Sequence, residues 1–266
     1  MENLPSNASR AYQELADLPK YQHFVRIPDR IIQCVNYFGI ACDHASARTR
    51  LHAYYLFIGV VDDAIDSGRI DAGSLVLDCL STPCPVFGEA ARRSSVNLII
   101  EVLKCNIRGA VYPLMMNKLK ALYREVVSER GATSIDSYIE HRKTVGSLTA
   151  ELSYVLIQPD MHVEHEGLLE FMKQVGAVGC LVDSLIDLNA DRRFGLLAFR
   201  PRPSDYTKLI ACILSDGARV SLKHPRLCGL FLRAIGDNVR DRFRADANVA
   251  RESFVSDRKG TAPGVA

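Results

Sequence analysis

The sequence predicts an all-α fold, and two observations support that class. The alternation of apolar and polar residues that marks strands is scarce, whereas the long segments carry apolar residues three and four positions apart, which is the helical spacing. Hydrophobic residues make up 48% of the 266-residue chain, enough for a sizeable core. We therefore expect one all-α domain over residues 1–250, followed at 251–266 by a polar tail that is predicted to be disordered.

The predicted helices follow one another with short breaks. Ser134, preceded by Gly131 and followed by Asp136, is typical of a helix N-cap that comes after a helix stop. STPCPVFG (81–88) predicts a loop between helices, and PRPSDY (201–206) breaks the chain before the next helix begins. Together with the apolar spacing, these signals predict helices at 29–43, 46–67, 90–106, 111–130, 134–157, 165–191, 204–217 and 225–247.

The composition argues against some functions. The 33 basic and 31 acidic residues nearly balance, so the concentrated basic charge of nucleic-acid binders is missing. The first residues lack a signal-peptide pattern, and no apolar run reaches the roughly 20 residues needed to span a bilayer. The eight scattered cysteines are typical of reduced thiols. We expect a cytoplasmic protein without an integral membrane segment, for which loose contact with a membrane surface stays open.

Two groups of aspartates stand inside otherwise apolar helical stretches. The first lies in YYLFIGVVDDAID and the second in VGAVGCLVDSLIDLNAD. Their members are Asp62, Asp63, Asp66, Asp183, Asp187 and Asp191. A carboxylate is almost never fully buried unless it is paired or bound to a cation, because removing it from water costs several kcal/mol or more. The pattern therefore predicts positive charge between the two groups.

The spacing of the aspartates points to magnesium. Asp62 and Asp66 are four residues apart and share one helix face, while Asp63 lies about 100° around the helix from Asp62. The second group forms one longer stripe that drifts by about 40° per step. Sets of oxygen ligands suit hard divalent cations, and magnesium binds through one or two carboxylates together with waters and phosphate oxygens. The sequence thus predicts two carboxylate walls that hold magnesium ions and a diphosphate.

Basic residues accompany the aspartates. The segment YIEHRKTVG (138–146) places Arg142 and Lys143 in a helix shortly before a glycine, and Arg192 and Arg193 follow the second group directly. The forked guanidinium of arginine is suited to phosphate oxygens, and Gly146 permits close approach of a second helix or of a substrate. These four cations are the candidate diphosphate-binding residues.

The motifs carry a family resemblance over roughly residues 30 to 200. LHAYYLFIGVVDDAID resembles the first aspartate-rich helix of the squalene and phytoene synthase family, and CLVDSLIDLNADRRFG resembles its second. YIEHRKTVG looks like the intervening segment of that family, and it is equally similar to the arginine, three residues, glycine diphosphate sensor of bacterial class I terpene cyclases. The spacing of the second aspartate group also matches the second metal motif of the cyclases.

The resemblance implies a fold, a cofactor and a substrate. Both families share the class I terpenoid synthase fold, an all-α helical bundle with a central active-site cavity. The resemblance also implies Mg2+ as the cofactor, as three ions held by the two aspartate groups, and a C15 or C20 prenyl diphosphate as the substrate. The oligomeric state stays open, with a homodimer as one option.

Three departures from the family bear on the reaction. Head-to-head synthases carry an arginine where this chain has Gly59, another where it has Ile186, and an acid where it has Ala190. We therefore expect cyclisation or rearrangement of one prenyl diphosphate. The alternatives are a head-to-head prenyl transferase and a catalytically silent helical protein that binds isoprenoids. Some aromatic residues are candidates for lining the cavity and equally for ordinary helix packing: Tyr54, Tyr55, Phe57 and Tyr154.

Overall fold

The protein is described by a computed structural model that covers residues 6–66, 72–81, 94–161, 163–193, 195–237 and 240. Every regular element in that part of the chain is helical, and the one isolated bridge there pairs Cys42 with Met161. The predicted all-α class is therefore confirmed. The predicted tail at 251–266 and most of the predicted loop at 81–88 lie outside the described residues.

Ten α-helices lie in the described part of the chain. They are α1 (Ser6–Ala16), α2 (Gln22–Tyr37), α3 (His44–Asp66), α4 (Ala72–Ser81), α5 (Ser95–Asn106), α6 (Val111–Arg130), α7 (Ile135–Ile157), α8 (Glu166–Arg193), α9 (Pro203–Lys223) and α10 (228–237). Short 3-10 turns lie at Pro19–Tyr21, Gln158–Asp160 and Pro225–Leu227.

Several predicted boundaries hold, and others do not. Helix α6 has the predicted bounds, and α7 begins behind Ser134, whose side-chain oxygen accepts a hydrogen bond from the Ser137 backbone N–H at 3.3 Å. The helix predicted at 29–43 is wrong at both ends, because α2 accommodates Pro28 in its interior and stops before Gly39, which has a φ of +67°. Helices α1 and α4 were not predicted at all.

Helices α7 and α8 form the closest pair in the bundle. A Cβ on Gly146 would lie 2.2 Å from the carbonyl oxygen of Gly176, and a Cβ on Gly176 would lie 2.3 Å from that of Gly146. The expected close approach at Gly146 is therefore made by a helix. Because the two helices cross here, Arg142, one turn before Gly146, lies beside Cys180, one turn after Gly176.

The core lies where α3, α5 and α7 meet. Its largest fully buried members include Leu51, Tyr54, Ile99, Leu103 and Leu152. Near the end of α3 that carries the aspartates, the ring of Phe24 on α2 fills the space that a side chain at Gly59 would need. The distance between the ring and an ideal Cβ at Gly59 is 2.6 Å. This contact fixes how α2 lies along the end of α3 that carries the aspartates.

Among the described residues, no helix is long and apolar enough to cross a membrane. The seven cysteines that the structure describes are all free thiols.

Candidate active site

One large cavity of about 440 Å³ runs through the bundle. Its wall is built by α2, α3, α4, α6, α7, α8 and α10. Small-molecule sites usually measure about 300 to 1,000 Å³ and are mostly apolar with a few placed polar groups. This cavity has both properties, and its polar groups are concentrated in the predicted motifs.

Aspartates from two helices face this cavity. Helix α3 contributes Asp62, and α8 contributes Asp183, Asp187 and Asp191. The three residues of α8 lie four positions apart, so their side chains follow one stripe of the helix, as the spacing predicts. The structure thus brings four of the six predicted aspartates to a common cavity.

Asp63 is the exception among the described side chains of the two groups. It accepts a hydrogen bond from Lys20 Nζ at 2.6 Å and another from Tyr21 Oη at 3.1 Å, and it lines a separate cavity of about 150 Å³. Its rotation of about 100° from Asp62 explains this direction. The structure therefore does not bring Asp63 to the large cavity, and its role as a metal ligand stays a prediction. Asp66 ends α3, and its side chain lies outside the described part of the chain.

Arg142 is the cation that reaches the cavity wall from α7. Its Nε donates to Ser184 Oγ at 2.7 Å, and its Nη2 donates to the Cys180 carbonyl oxygen at 3.3 Å. Its Nη1 donates to both carboxylate oxygens of Glu129, at 3.3 and 3.4 Å. Ser184 is buried and also donates to the Cys180 carbonyl oxygen at 2.8 Å. The guanidinium is therefore held from two sides.

Arg142, Glu129 and Cys180 influence one another's pKa. Burial raises the pKa of the Glu129 carboxyl above its ordinary value, and Arg142 works in the opposite direction. Burial alone lowers the pKa of Arg142, but its surroundings, Cys180 first and then Glu129, raise that pKa well above its ordinary value. Burial raises the pKa of the Cys180 thiol to about 12. At neutral pH, the site therefore presents a fixed guanidinium and a neutral thiol.

The other predicted cations lie elsewhere. Lys143 Nζ lies 2.9 Å from Asp216 Oδ2 on α9, and Arg192 and Arg193 are exposed at the end of α8. All three stand outside the described lining of the cavity, so the structure does not bring them to it, and their role in diphosphate binding stays a prediction. Arginine at the end of a helix favourably meets the carbonyl end of the helix dipole, which explains their position without a ligand.

The remainder of the cavity is largely apolar. Helix α8 lines it from Phe171 to Asp191, and the rise of 1.5 Å per residue places the Phe171 Cα about 24 Å from the Asp187 Cα. Phe171 packs against His224, with 4.9 Å between the ring centroids. Of the aromatic candidates, Tyr55 and Phe57 line the cavity, while Tyr54 and Tyr154 are buried outside its described lining.

The cavity offers oxygen donors of the kind that magnesium prefers. Among the described residues, no group of three or more histidine, cysteine or acidic side chains is arranged to hold one metal ion by itself. Magnesium needs only one or two protein carboxylates when waters and phosphate oxygens complete its six ligands. The four aspartates at one cavity offer oxygen donors alone, so they fit magnesium that is bound jointly with a diphosphate.

Some cavity residues were missed by sequence reasoning. Glu129 and Arg130 line the cavity at the end of α6, and Phe231 lines it from α10. In the sequence, SERG (128–131) has the composition of an exposed helix end, so no local signal separates Glu129 from a surface acid. Its contact with Arg142 joins residues 13 positions apart on two helices, which only packing reveals.

No protein-family model matches the chain, and no match is found among curated proteins or among solved structures. The chemistry of the cavity is therefore the basis on which a function is assigned.

Proposed function

We propose that the chain is a magnesium-dependent class I terpenoid synthase that ionises an allylic C15 or C20 prenyl diphosphate and then cyclises or rearranges the cation. One observation carries this proposal: a single cavity combines the aspartates of α3 and α8 and the guanidinium of Arg142 with a long apolar wall. Metal ions with a diphosphate match the polar groups, and a hydrocarbon chain matches the apolar wall.

The aspartates and Arg142 have different roles in the proposed ionisation. Asp62 of α3 and the aspartate stripe of α8 would hold the metal ions, and Arg142 offers a fixed positive charge to the leaving diphosphate. Magnesium bound there would supply the Lewis acid that weakens the bond between carbon and oxygen. The protein keeps Arg142 oriented through Ser184 and the Cys180 carbonyl, so the charge is in place before the bond breaks.

The apolar wall governs what the cation becomes. Tyr55, Phe57 and Phe171 present aromatic side chains to the cavity, and aromatic faces attract cations. The mostly apolar lining limits access of water, which would otherwise trap the cation. The fold of the substrate along this wall selects the bonds that form.

The packing at Gly59 favours the cyclisation of one chain over the joining of two. Head-to-head synthases, which the motifs resemble, carry arginine at this position. Here an added Cβ would lie 2.6 Å from the Phe24 ring, so a long charged side chain would require that ring to shift. Ile186, the position of the second arginine, stands outside the described lining of the cavity.

Product analysis tests the proposal. The purified protein is incubated with magnesium and, separately, with C10, C15 and C20 prenyl diphosphates, and the extracted hydrocarbons are identified by mass spectrometry. We expect a cyclic or rearranged product no longer than its substrate. A doubled chain of the squalene or phytoene type would assign the head-to-head alternative instead.

Diphosphate release separates an enzyme from a silent binding protein. We expect release with at least one allylic substrate, abolished when a chelator removes magnesium and restored when magnesium is added back. Binding of the prenyl chain without release of diphosphate from any of the three substrates would overturn the proposed activity.

A further inference from the structure

Glu129 is a carboxylate of the cavity that neither aspartate group supplies. It lies at the end of α6, and its side chain is only 13% exposed. Both of its oxygens accept hydrogen bonds from Arg142 Nη1, at 3.3 and 3.4 Å. Charge-assisted bonds of this type are usually about 2.7 to 2.9 Å long, so this contact is a loose one.

The orientation of Arg142 depends on α8 more than on Glu129. The short hydrogen bond runs from Nε to Ser184 Oγ, at 2.7 Å, and Nη2 reaches the Cys180 carbonyl. Both partners stand on the helix that meets α7 at the Gly146 and Gly176 crossing, so this close contact positions them beside Arg142. Glu129, on another helix, contributes mainly its negative charge.

We infer that Glu129 competes with the substrate diphosphate for Arg142, pairing with Nη1 until a diphosphate takes its place. This inference rests on the proposed function, from which it takes the class of ligand. A largely buried guanidinium needs a counter-charge, which Glu129 provides. A diphosphate offers several anionic oxygens and is the stronger partner for a forked donor than a loosely bonded carboxylate.

The competition has a consequence for product release. Glu129 lines the same cavity as the aspartates, and Asp62 raises its pKa while Arg130 lowers it, so a diphosphate that takes Arg142 leaves the Glu129 carboxylate with Arg130 but beside the like charge of Asp62. The return of Glu129 to Arg142 removes that unfavourable arrangement as diphosphate departs. Glu129 is thus a positioning residue that keeps the site from holding its product too tightly.

The test is a double-mutant cycle on the binding of inorganic diphosphate. Titration calorimetry in the presence of magnesium compares the wild type with Glu129→Gln, Arg142→Gln and the double variant. We expect Glu129→Gln to bind about fivefold more tightly and Arg142→Gln about tenfold more weakly. In the Arg142→Gln background the gain from Glu129→Gln is expected to shrink to less than twofold, since the contested partner is gone.

Glu125 provides the matched control. It lies one turn earlier on α6 and likewise ties this helix to α7, through a contact of 2.6 Å between Glu125 Oε1 and His141 Nδ1. It stands outside the described lining of the cavity. We expect Glu125→Gln to bind diphosphate with wild-type affinity. In turnover assays, diphosphate should inhibit Glu129→Gln more strongly than either the wild type or Glu125→Gln.

The outcomes separate this inference from the proposed function. If the wild type binds magnesium diphosphate but Glu129→Gln binds it equally or more weakly, the competition is overturned and the proposed function stands. An equal gain in both backgrounds also overturns it, because general repulsion then explains the effect. If the wild type binds no diphosphate, both fail. Should Glu129→Gln not fold, Glu129→Asp replaces it, and a smaller gain is expected because the charge is kept at a greater distance.

Discussion

Asp62 and Asp63 are adjacent in the sequence but belong to different surfaces of α3. Asp62 lines the large cavity, whereas Asp63 pairs with Lys20 on the outward side. Helix α7 repeats the division: Arg142 lines the cavity, and its neighbour Lys143 pairs with Asp216 of α9.

The comparison shows that a charged motif is not a functional unit as a whole. Neighbouring residues on a helix differ by about 100° in direction, so one member of each pair faces the cavity and the other faces a packed or exposed surface. Residue type and sequence position are nearly identical within each pair. Comparing substitutions within a pair therefore shows how much depends on which surface of the helix a side chain faces.

The largest expected difference lies between the two carboxylates of α3. Asp62→Asn should lower the turnover of a prenyl diphosphate by about 100-fold or more, the usual effect of removing a placed electrostatic group. Asp63→Asn should stay within about threefold of the wild type, because the half-exposed ion pair with Lys20 and the hydrogen bond from Tyr21 that it alters both lie away from the large cavity. Steady-state kinetics checks both, with circular dichroism as the control for folding. Equal losses would abolish the distinction between the two surfaces.

The two cations of α7 should differ in their effect on stability. Arg142→Gln leaves Glu129 largely buried without its partner, which should lower the free energy of unfolding by about 3 kcal/mol. Lys143→Gln removes a more exposed pair and should lower it by less than about 1 kcal/mol. Urea denaturation measures both. Adding Glu129→Gln to Arg142→Gln should recover part of the loss, and no recovery would argue against the buried charge as its cause.

Substitutions at the glycines test whether the close contact between α7 and α8 contributes to stability. Gly146→Ala would place a Cβ 2.2 Å from the Gly176 carbonyl oxygen, and forcing the helices apart should cost about 2 kcal/mol. Gly179→Ala, on the same stretch of α8, meets no atom within 4 Å and should be neutral or stabilise by up to about 1 kcal/mol. Thermal denaturation compares the two. Similar melting temperatures would refute the close crossing.

The smallest effect on stability is expected for the ion pair between Lys20 and Asp63. Lys20 and Asp63 are each about half exposed, at 51% of the side chain. Lys20→Gln should therefore change the free energy of unfolding by less than about 0.5 kcal/mol, and high salt should remove even that difference. Urea denaturation at low and high salt measures it. A loss of several kcal/mol would show that the N-terminal segment anchors the site through Asp63.

The sequence predicted most of the helices, because their apolar spacing is a local property of each segment. It missed α1 and α4, and it misplaced α2. In α2, Pro28 reads as a helix boundary, yet the packing of the helix outweighs the lost hydrogen bond, as often happens when tertiary contacts oppose local preference.

The site was predictable in part. The aspartates stood out because charge inside an apolar helix is unusual, and four of them line one cavity. Glu129 could not be found in this way, since an acid at a polar helix end is ordinary. The outward direction of Asp63 and Lys143 was equally hidden, because each lies beside a residue of the same charge.

The angular spacing of the charged residues, including the stripe of Asp183, Asp187 and Asp191, follows from the order of the amino acids, because 3.6 residues per turn is a property of the backbone. Which side of each helix faces the cavity follows from packing. That choice depends on contacts between distant segments, such as Gly146 with Gly176 and Phe24 with Gly59, which set the rotation of each helix about its axis.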